Sequence, residues 1–150
     1  EVEALAGLAW AAKASWGYSA AQLDAWREEL APSAASILER PTFVATHGES
    51  LAGFYQLNLN AAPVELEHLW VHPEFMGQGV GRALLAHCLA YLAASRIAVL
   101  HIDSDPNAES FYLSRGAIRI GEIAAPVEGQ PDRVRPQMRI SVMRSDSQGI

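Results

Sequence analysis

At 150 residues, with half of them hydrophobic and 19% charged, the chain suits one globular domain and is too short for two ordinary ones. It contains no apolar run of about 18 residues that could span a membrane, and no basic-then-apolar signal segment opens it. The formal charge of -6 disfavours nucleic acid and suits cationic substrates such as amines, while a single cysteine excludes an internal disulfide. We therefore expect one domain over residues 1–150, a cytoplasmic location, and no membrane or nucleic-acid partner.

Two helices are predicted at the start of the chain. Residues 3–15 are rich in alanine and carry apolar side chains at helical spacing. The first helix is predicted to end at Trp16-Gly17-Tyr18, and Ser19 is suited to cap a second helix over residues 20–30. Trp16 and Tyr18 fall at the junction of the two helices. There they either pack as core aromatics or line a pocket for an acceptor substrate.

Three neighbouring antiparallel strands are predicted next. Residues 42–46 and 51–59 flank a hairpin turn that contains glycine, and residues 64–72 form the third strand. An amphipathic helix follows over residues 81–94. Residues 97–102 are a short apolar run, typical of a buried strand. Because a helix connects them to residues 64–72, we expect the two strands to be parallel, with a right-handed crossover.

The rest of the chain is predicted to contain one helix and two strands, joined by turns and a longer loop. In chain order they are a turn at 103–107, a helix at 108–115 ended by Gly116, strands at 117–123 and 138–143, a hairpin loop at 124–136 and a polar tail at 144–150. Cys88 lies in the apolar stripe of the long helix. We interpret it as a small core residue and not as a nucleophile.

A glycine-rich turn joins the third strand to the long helix. Gly77, Gly79 and Gly81 let the backbone take positive φ and approach a ligand without an intervening Cβ. The N–H groups of the first helical turn then face the ligand, and the helix dipole favours a negative charge there. We expect a phosphate group at this turn. The lysine and hydroxyl of a P-loop are absent after Arg82, and the spacing is not that of a dinucleotide fingerprint, which disfavours nucleotide hydrolysis and nicotinamide chemistry.

Two motifs in this order resemble the GNAT superfamily of acetyl-CoA-dependent N-acetyltransferases. The turn is similar to the family's pyrophosphate loop, Gln/Arg-x-x-Gly-x-Gly/Ala, with Gly79 and Gly81 in the glycine places and Met76 where Gln or Arg is usual. Residues 107–117 are similar to the family's Asn-x-x-Ala-x-x-Phe-Tyr-x-x-x-Gly-Phe segment, with alanine in place of the last Phe. The resemblance covers about residues 42–143.

The resemblance implies a fold and a set of partners. The fold is α+β, a single-domain, mostly antiparallel mixed sheet with a central splayed pair of parallel strands and flanking helices. The family begins with a strand before its first helix, and none is predicted here, so we expect that strand to be missing from this chain. The implied cosubstrate is acetyl-CoA, without a metal, and the implied acceptor is a small-molecule or peptide amine. A homodimer through the terminal strands stays open.

The residues that the resemblance implies for acetyl-CoA binding fall in three places. The strand offers backbone groups to the pantetheine arm, and the N–H of Val71 is the candidate for polarising the thioester carbonyl. Arg82 either contacts phosphate or is an ordinary exposed helix arginine, and Asn107 either bonds the donor arm or only forms its turn. The full set is Leu69, Trp70, Val71, Gly77, Gln78, Gly79, Val80, Gly81, Arg82, Asn107 and Tyr112.

Three residues are candidates for catalysis. By the resemblance, Tyr112 points at the thioester sulfur and serves as general acid; the alternative is a core aromatic. Glu65 and Glu67 share one face of their strand, where either carboxylate can attract a protonated amine and take its proton, directly or through water. The alternative for each is a solvated strand residue. We predict no metal at His68 and His72, since four strand residues separate them by roughly 13 Å.

These motifs together predict an enzyme that transfers acetyl from acetyl-CoA to a primary amine by direct attack in a ternary complex. The second hypothesis is a catalytically silent module that binds an acyl-CoA and has a regulatory role. Both share the donor site. They differ in whether Tyr112 and the two strand carboxylates carry out chemistry.

Overall fold

The computed structural model describes residues 2–142. Within that range the helices and strands are, in chain order, α1 (Val2–Ala14), α2 (Ala20–Ala25), α3 (Ala34–Glu39), β1 (Thr42–His47), β2 (Ser50–Asn58), β3 (Val64–Val71), α4 (Val80–Ala94), β4 (Val99–Asp103), α5 (Glu109–Ser114), β5 (Ile118–Ala124) and β6 (Val134–Ser141). Single turns of 3-10 helix occur at Pro73–Phe75 and Pro106–Ala108. The predicted tail at 144–150 and Met143 lie outside the described residues.

The strands form one mixed sheet in the order β1-β2-β3-β4-β6-β5. β3 and β4 are its parallel pair, with a short register from Val64 opposite Leu100 to Leu66 opposite Ile102. The pairs β1–β2, β4–β6 and β5–β6 are antiparallel. The predicted α+β class, with a mostly antiparallel sheet and a central parallel pair, is confirmed.

The chain divides into two compact units. The first comprises the residues up to Asn58 together with Glu67–Ala86, and the second comprises Leu59–Leu66 together with the residues from His87 onward. β3 and α4 each contribute to both units. All four tryptophans of the chain belong to the first unit.

In the first unit, α1 supplies the predicted apolar stripe. Leu5, Leu8 and Ala9 form a buried cluster with Phe54 of β2. The small side chain of Ala9, fully buried, lets the helix pack closely on the strand. Replacing a buried leucine of such a cluster by alanine costs about 2–5 kcal/mol, so we expect Leu5 and Leu8 each to stabilise the unit by an amount of that order.

The second predicted helix is shorter than expected. α2 ends at Ala25, and the residues after it form tighter turns, with the N–H of Glu29 donating to the carbonyl of Trp26 over 2.9 Å. The prediction of a helix over residues 20–30 is therefore wrong in its second half. The helix ends where Trp26 makes an aromatic contact: its ring lies 4.9 Å from that of Tyr18, edge to face.

A third short helix, α3, was not predicted. Its N-cap is Ser33, whose hydroxyl accepts a hydrogen bond from the N–H of Ser36 over 3.1 Å. A serine directly after Pro32 is the local signal that indicates this start. The hairpin between β1 and β2 was predicted correctly, with the turn at Gly48 and Glu49.

In the second unit, apolar side chains of α4, β4 and β6 are buried, namely Leu92, Leu100, Ile102, Met138 and Ile140. The predicted core role of Cys88 is confirmed, since its side chain is fully buried and burial raises the pKa of its thiol to about 12. β5 ends the sheet order, and Ile118, Ile120 and Ile123 on it are about half exposed. The homodimer through the terminal strands stays a prediction.

β6 begins four residues earlier than predicted, which shortens the expected loop at 124–136. Pro136 lies inside the strand, and its carbonyl accepts a hydrogen bond from the N–H of Ser104 over 3.0 Å. The register with β4 ends at Gln137 opposite Asp103. Pro136 lies one residue beyond that register, opposite Glu122 of β5, and a proline without an N–H is tolerated at such an end of a strand pairing.

None of the helices in the described part of the chain combines the length and the apolar character that crossing a bilayer requires.

Candidate active site

The glycine-rich turn connects the 3-10 turn at Pro73–Phe75 to α4. Gly77 and Gly79 have φ of +78° and +87°, values that side chains with a Cβ rarely adopt. Gly81 was expected to share this conformation and does not, because it already lies in the first turn of α4. Two of the three predicted positive φ values are thus confirmed, and the helix begins within one residue of the predicted position.

The outer side of this turn is open. A Cβ placed on Gly77 or Gly79 would meet no atom within 4 Å. The first N–H groups of α4, on Val80, Gly81 and Arg82, have no helical carbonyl behind them, whereas the N–H of Ala83 donates to the carbonyl of Gly79 over 2.9 Å. The turn therefore presents backbone donors and a helix dipole to an exposed position that an anion can reach.

The side chains around the turn are less available than its backbone. Gln78 donates from its amide to the carbonyl of Glu74 over 3.2 Å, which fastens the turn to the preceding residues. Met76 contacts the residue that follows α1, with its sulfur 3.9 Å from the Ser15 hydroxyl. Arg82 is exposed. The backbone of the turn, more than these side chains, is what can bind a ligand.

Gly53 of β2 brings β3 and α4 close together, and sequence reasoning did not single it out. A Cβ on Gly53 would lie 2.7 Å from the carbonyl oxygen of Trp70 and 2.9 Å from a methyl carbon of Leu84. A third contact, to Val80, would be 3.3 Å. A glycine inside an apolar strand is the signal for such a close approach. It places the start of α4 directly against the end of β3, where Leu69, Trp70 and Val71 lie half-buried.

Glu67 forms an ion pair that was not predicted. Its carboxylate lies 3.4 Å from the guanidinium of Arg40, and both side chains are about one-third exposed. Next to it, the indole N–H of Trp70 donates to Nδ1 of His68 over 3.2 Å. Burial, followed by the charge of Arg40, lowers the pKa of His68 to about 4. The histidine beside the candidate base is thus neutral at physiological pH.

Glu65, the other candidate carboxylate, belongs to the second unit. It lies 3.6 Å from Nδ1 of His101, its register partner on β4. Its side chain is 41% exposed, against 29% for that of Glu67. The two carboxylates therefore have different partners and different access to water.

Tyr112 lies in α5 and is 6% exposed. Its ring packs edge to face against Phe111 at 5.1 Å between centroids. Burial, with a smaller contribution from the neighbouring Cys88, raises the pKa of Tyr112 above its ordinary value. The phenol consequently keeps its proton throughout the physiological range.

Asn107 is held by Asp105, which is itself paired with Arg133, and sequence reasoning missed both interactions. Its backbone N–H and its side-chain amide both donate to one oxygen of Asp105, each over 2.8 Å. The other oxygen of Asp105 accepts from Arg133 over 3.1 Å, and both of these side chains are almost completely buried. Arg133 also donates to the carbonyl of Ala125 over 2.8 Å. Sequence spacing gives no sign of this pair, because 28 residues separate its members.

The two aromatic residues predicted at the helix junction both lie half-buried in the first unit. The ring of Trp16 is 6.1 Å from that of Trp70, so the junction reaches the end of β3. Tyr18 contacts Trp26 after α2. Within residues 2–142 there is no group of three or more His, Cys, Asp or Glu side chains that could hold a metal ion.

Comparison with protein families and solved structures identifies the fold. The family described as acetyltransferase (GNAT) domain matches residues 5–125. A GCN5-related N-acetyltransferase from Rhodopseudomonas palustris is 25% identical, with a TM-score of 0.77 over 93% of this chain and 89% of its own. The PaiA N-acetyltransferase from Thermoplasma acidophilum, solved in complex with coenzyme A, is 20% identical, with a TM-score of 0.72 over 93% and 92%.

A third similar structure is the ribosomal-protein-S18-alanine N-acetyltransferase from Escherichia coli, 20% identical, with a TM-score of 0.69 over 94% of this chain and 87% of its own. No curated protein sequence is significantly similar to this chain. The family match covers most of the chain and includes both the glycine-rich turn and Tyr112. The protein therefore belongs to the GNAT family of acetyltransferases.

Proposed function

We propose that this protein is an acetyl-CoA-dependent N-acetyltransferase that acetylates a primary amine of a small molecule or peptide by direct attack in a ternary complex. The observation that carries the proposal is the open glycine turn, with Gly77 and Gly79 at positive φ, leading directly into α4. Similar structures include the aminoglycoside 6'-N-acetyltransferase, which was solved in complex with coenzyme A. The coenzyme A bound in this structure and in that of the PaiA enzyme supports acetyl-CoA as the cosubstrate of this chain.

The donor site is built mainly from backbone groups. The N–H groups between Gly77 and Arg82 bind the diphosphate, because they face an exposed position where two missing Cβ atoms leave room. Asn107, fixed by Asp105, bonds the arm of the donor with its carbonyl oxygen. The end of β3, from Leu69 to Val71, pairs with the pantetheine chain as an added strand.

Acetyl-CoA supplies an acetyl group activated as a thioester. The N–H of Val71 donates to the acyl oxygen, where negative charge develops during attack. Glu67 attracts the protonated amine and takes its proton, directly or through one water molecule. Arg40 holds the Glu67 carboxylate in place from 3.4 Å.

Tyr112 acts on the leaving sulfur. A thiol has a pKa of about 8.5, well below that of a buried phenol, so complete proton transfer from Tyr112 to a thiolate is unfavourable. The phenol instead donates a hydrogen bond that stabilises the thiolate as it departs, and the raised pKa ensures that this proton is present. This refines the general-acid role implied by the family resemblance.

The first test is a substitution in the turn, measured by calorimetry. Gly79→Val places a branched side chain where the diphosphate is expected, and should abolish acetyl-CoA binding. Gly129→Val is the matched control, because Gly129 has a similar φ of +83° and a Cβ there also meets nothing within 4 Å. The control has the same backbone strain outside the donor site. Retained binding in Gly79→Val would exclude this turn as the diphosphate site.

The alternative, a catalytically silent acyl-CoA-binding module, is separated by turnover. Thiol release from acetyl-CoA is followed in the presence of a panel of primary amines, including diamines, amino acids and peptides. Amine-dependent release supports the enzyme. Acetyl-CoA binding without release for any amine supports the silent module.

A further inference from the structure

Four aromatic rings surround the ammonium group of Lys13. Its Nζ lies 4.6 Å from the ring centroid of Trp26, 5.3 Å from that of Tyr18, and 5.8 Å from those of Trp16 and Trp70. We call these four rings the Lys13 cage. All four side chains are half-buried, and so is Lys13.

The rings come from four separate positions along the first unit. Trp16 and Tyr18 follow α1, Trp26 follows α2, and Trp70 lies near the end of β3. Neighbouring rings contact one another, Tyr18 with Trp26 at 4.9 Å and Trp16 with Trp70 at 6.1 Å. The cage is therefore continuous from the helix junction to the strand that we assign to the donor.

Such a cage has a definite chemical preference. Each ring presents a negative π face, and a cation within about 6 Å of several ring centroids is attracted by all of them. Aromatic cages of this kind are used to recognise organic ammonium ligands. Lys13 itself demonstrates that the site accepts an alkylammonium group.

The position of the cage connects it to the reaction. Trp70 is shared between the cage and the Leu69–Val71 segment, and Ser15, two residues after Lys13, contacts Met76 at the start of the glycine turn. The amine that is acetylated must be neutral when it attacks. An ammonium group of the acceptor that binds in the cage must therefore be a second basic nitrogen, and not the nitrogen that is acetylated.

We propose that the Lys13 cage binds an ammonium group of the acceptor, which displaces the side chain of Lys13, and that the acceptor is a diamine, polyamine or related molecule with two basic nitrogens. The assignment of the bound ammonium group to an acceptor rests on the proposed N-acetyltransferase function. Lys13 is an intramolecular competitor that selects for acceptors carrying a strong positive charge.

The direct test uses choline, which offers a quaternary ammonium and has no nitrogen that can be acetylated. Its binding is measured by calorimetry without acetyl-CoA, alongside its neutral carbon analogue 3,3-dimethylbutan-1-ol. Removing the internal competitor in Lys13→Ala should tighten choline binding by about 10-fold, given the strength of cation–π contacts, and should not help the neutral analogue. A gain in affinity cannot result from misfolding.

Three further variants make the result specific. Lys13→Gln, a second neutral replacement of similar length, should show the same gain, and Lys13→Arg, which keeps a cation in the cage, should not. Arg27→Ala removes the same charge outside the cage, where the guanidinium lies 4.7 Å from the Trp10 ring, and should bind choline as the unaltered protein does. If neither neutral variant binds choline more tightly than the unaltered protein, the cage is not a ligand site.

A second measurement addresses the link to catalysis. Choline should compete with a diamine acceptor in the thiol-release assay of the unaltered protein, raising KM without lowering kcat. Tight choline binding that leaves the kinetics unchanged would overturn the assignment to the acceptor. Because the choline titration omits acetyl-CoA, failure of the donor site in the Gly79→Val experiment would be seen separately.

Discussion

Tyr112 and Glu67 differ sharply in environment, although the proposed reaction needs both. Tyr112 is buried against an aromatic ring and a thiol, and burial keeps its phenol protonated. Glu67 keeps access to water and has an arginine partner at 3.4 Å. A buried donor of a hydrogen bond and a partly hydrated carboxylate suit stabilisation of a leaving group and removal of a proton, respectively.

The first residue-scale prediction concerns Tyr112→Phe. Loss of the hydroxyl should lower kcat by about 10²- to 10⁴-fold, because the departing sulfur loses its hydrogen bond. The affinity for acetyl-CoA, measured by calorimetry, should change little. Tyr91→Phe, in the same unit, is the control for removing a phenol elsewhere. Near-normal turnover in Tyr112→Phe would remove Tyr112 from the mechanism.

The second compares the two strand carboxylates. Glu67→Gln should lower kcat/KM for an amine acceptor by about 10²-fold or more, since the amide cannot take a proton. Glu65→Gln should have a much smaller effect, because Glu65 is the more exposed of the two carboxylates. The measurement is kcat/KM across the pH range. A larger loss of kcat/KM in Glu65→Gln than in Glu67→Gln would assign the role of base to Glu65.

At the scale of elements, a single glycine determines how closely β3 and α4 approach. Gly53 is buried in β2, facing both the Trp70 carbonyl and the Leu84 side chain. The proposed donor site uses the end of β3 and the start of α4. Its geometry thus depends on a residue that contacts no ligand.

Gly53→Ala should therefore lower the free energy of unfolding by about 1–3 kcal/mol, the usual cost of forcing extra volume into a packed interior. Urea denaturation provides the measurement. Gly7→Ala is the opposite control, because a Cβ at this helical position meets nothing within 4 Å and alanine should stabilise α1 by about 0.5–1 kcal/mol. An unchanged stability in Gly53→Ala would mean that the two elements move apart without cost.

The element scale also shows which parts of the fold are readable in the sequence. Periodicity and turn residues predicted the hairpin, β3, α4 and β4, because each depends on local spacing. The predicted start of β6 was wrong because a proline locally disfavours a strand, whereas the place of Pro136 in β6 depends on the pairing with β4 and β5, which is a tertiary fact. Arg40 and Arg133 were missed for a similar reason, since each pairs with a carboxylate far along the chain.

The glycine turn and Tyr112 could be proposed from the sequence because both lie inside motifs with fixed spacing. The Lys13 cage could not, because its rings come from separate segments and meet only through folding. The sequence placed Trp16 and Tyr18 at a junction and left open whether they pack or line a pocket. Both rings contact the ammonium group of Lys13, and the pocket stays a prediction.

At the scale of the whole molecule, His68 makes the stability depend on pH. Its pKa is about 4 in the folded protein and about 6.5 when unfolded, so the unfolded state binds more protons between these values. The contribution of neutral His68 is complete above about pH 6.5 and is lost as the pH falls towards 4.

We expect this loss to amount to about 3 kcal/mol between pH 7 and pH 4, from about 1.4 kcal/mol for each unit of pKa shift. It is measured by urea denaturation as the difference between the unaltered protein and His68→Gln, which keeps an acceptor for the Trp70 indole. His47→Gln, at an exposed position, is the control for replacing a histidine by glutamine elsewhere in the first unit. Parallel stability curves for the unaltered protein and His68→Gln would refute the prediction.

The distribution of the tryptophans has a consequence for how unfolding can be observed. All four belong to the first compact unit, whereas the second has Tyr91 and Tyr112 as its tyrosines and no tryptophan. Emission excited selectively from indole therefore reports on one unit, while circular dichroism reports on both. If the two signals change at the same denaturant concentration, the units unfold as one cooperative system; if they separate, the chain passes through a half-folded species.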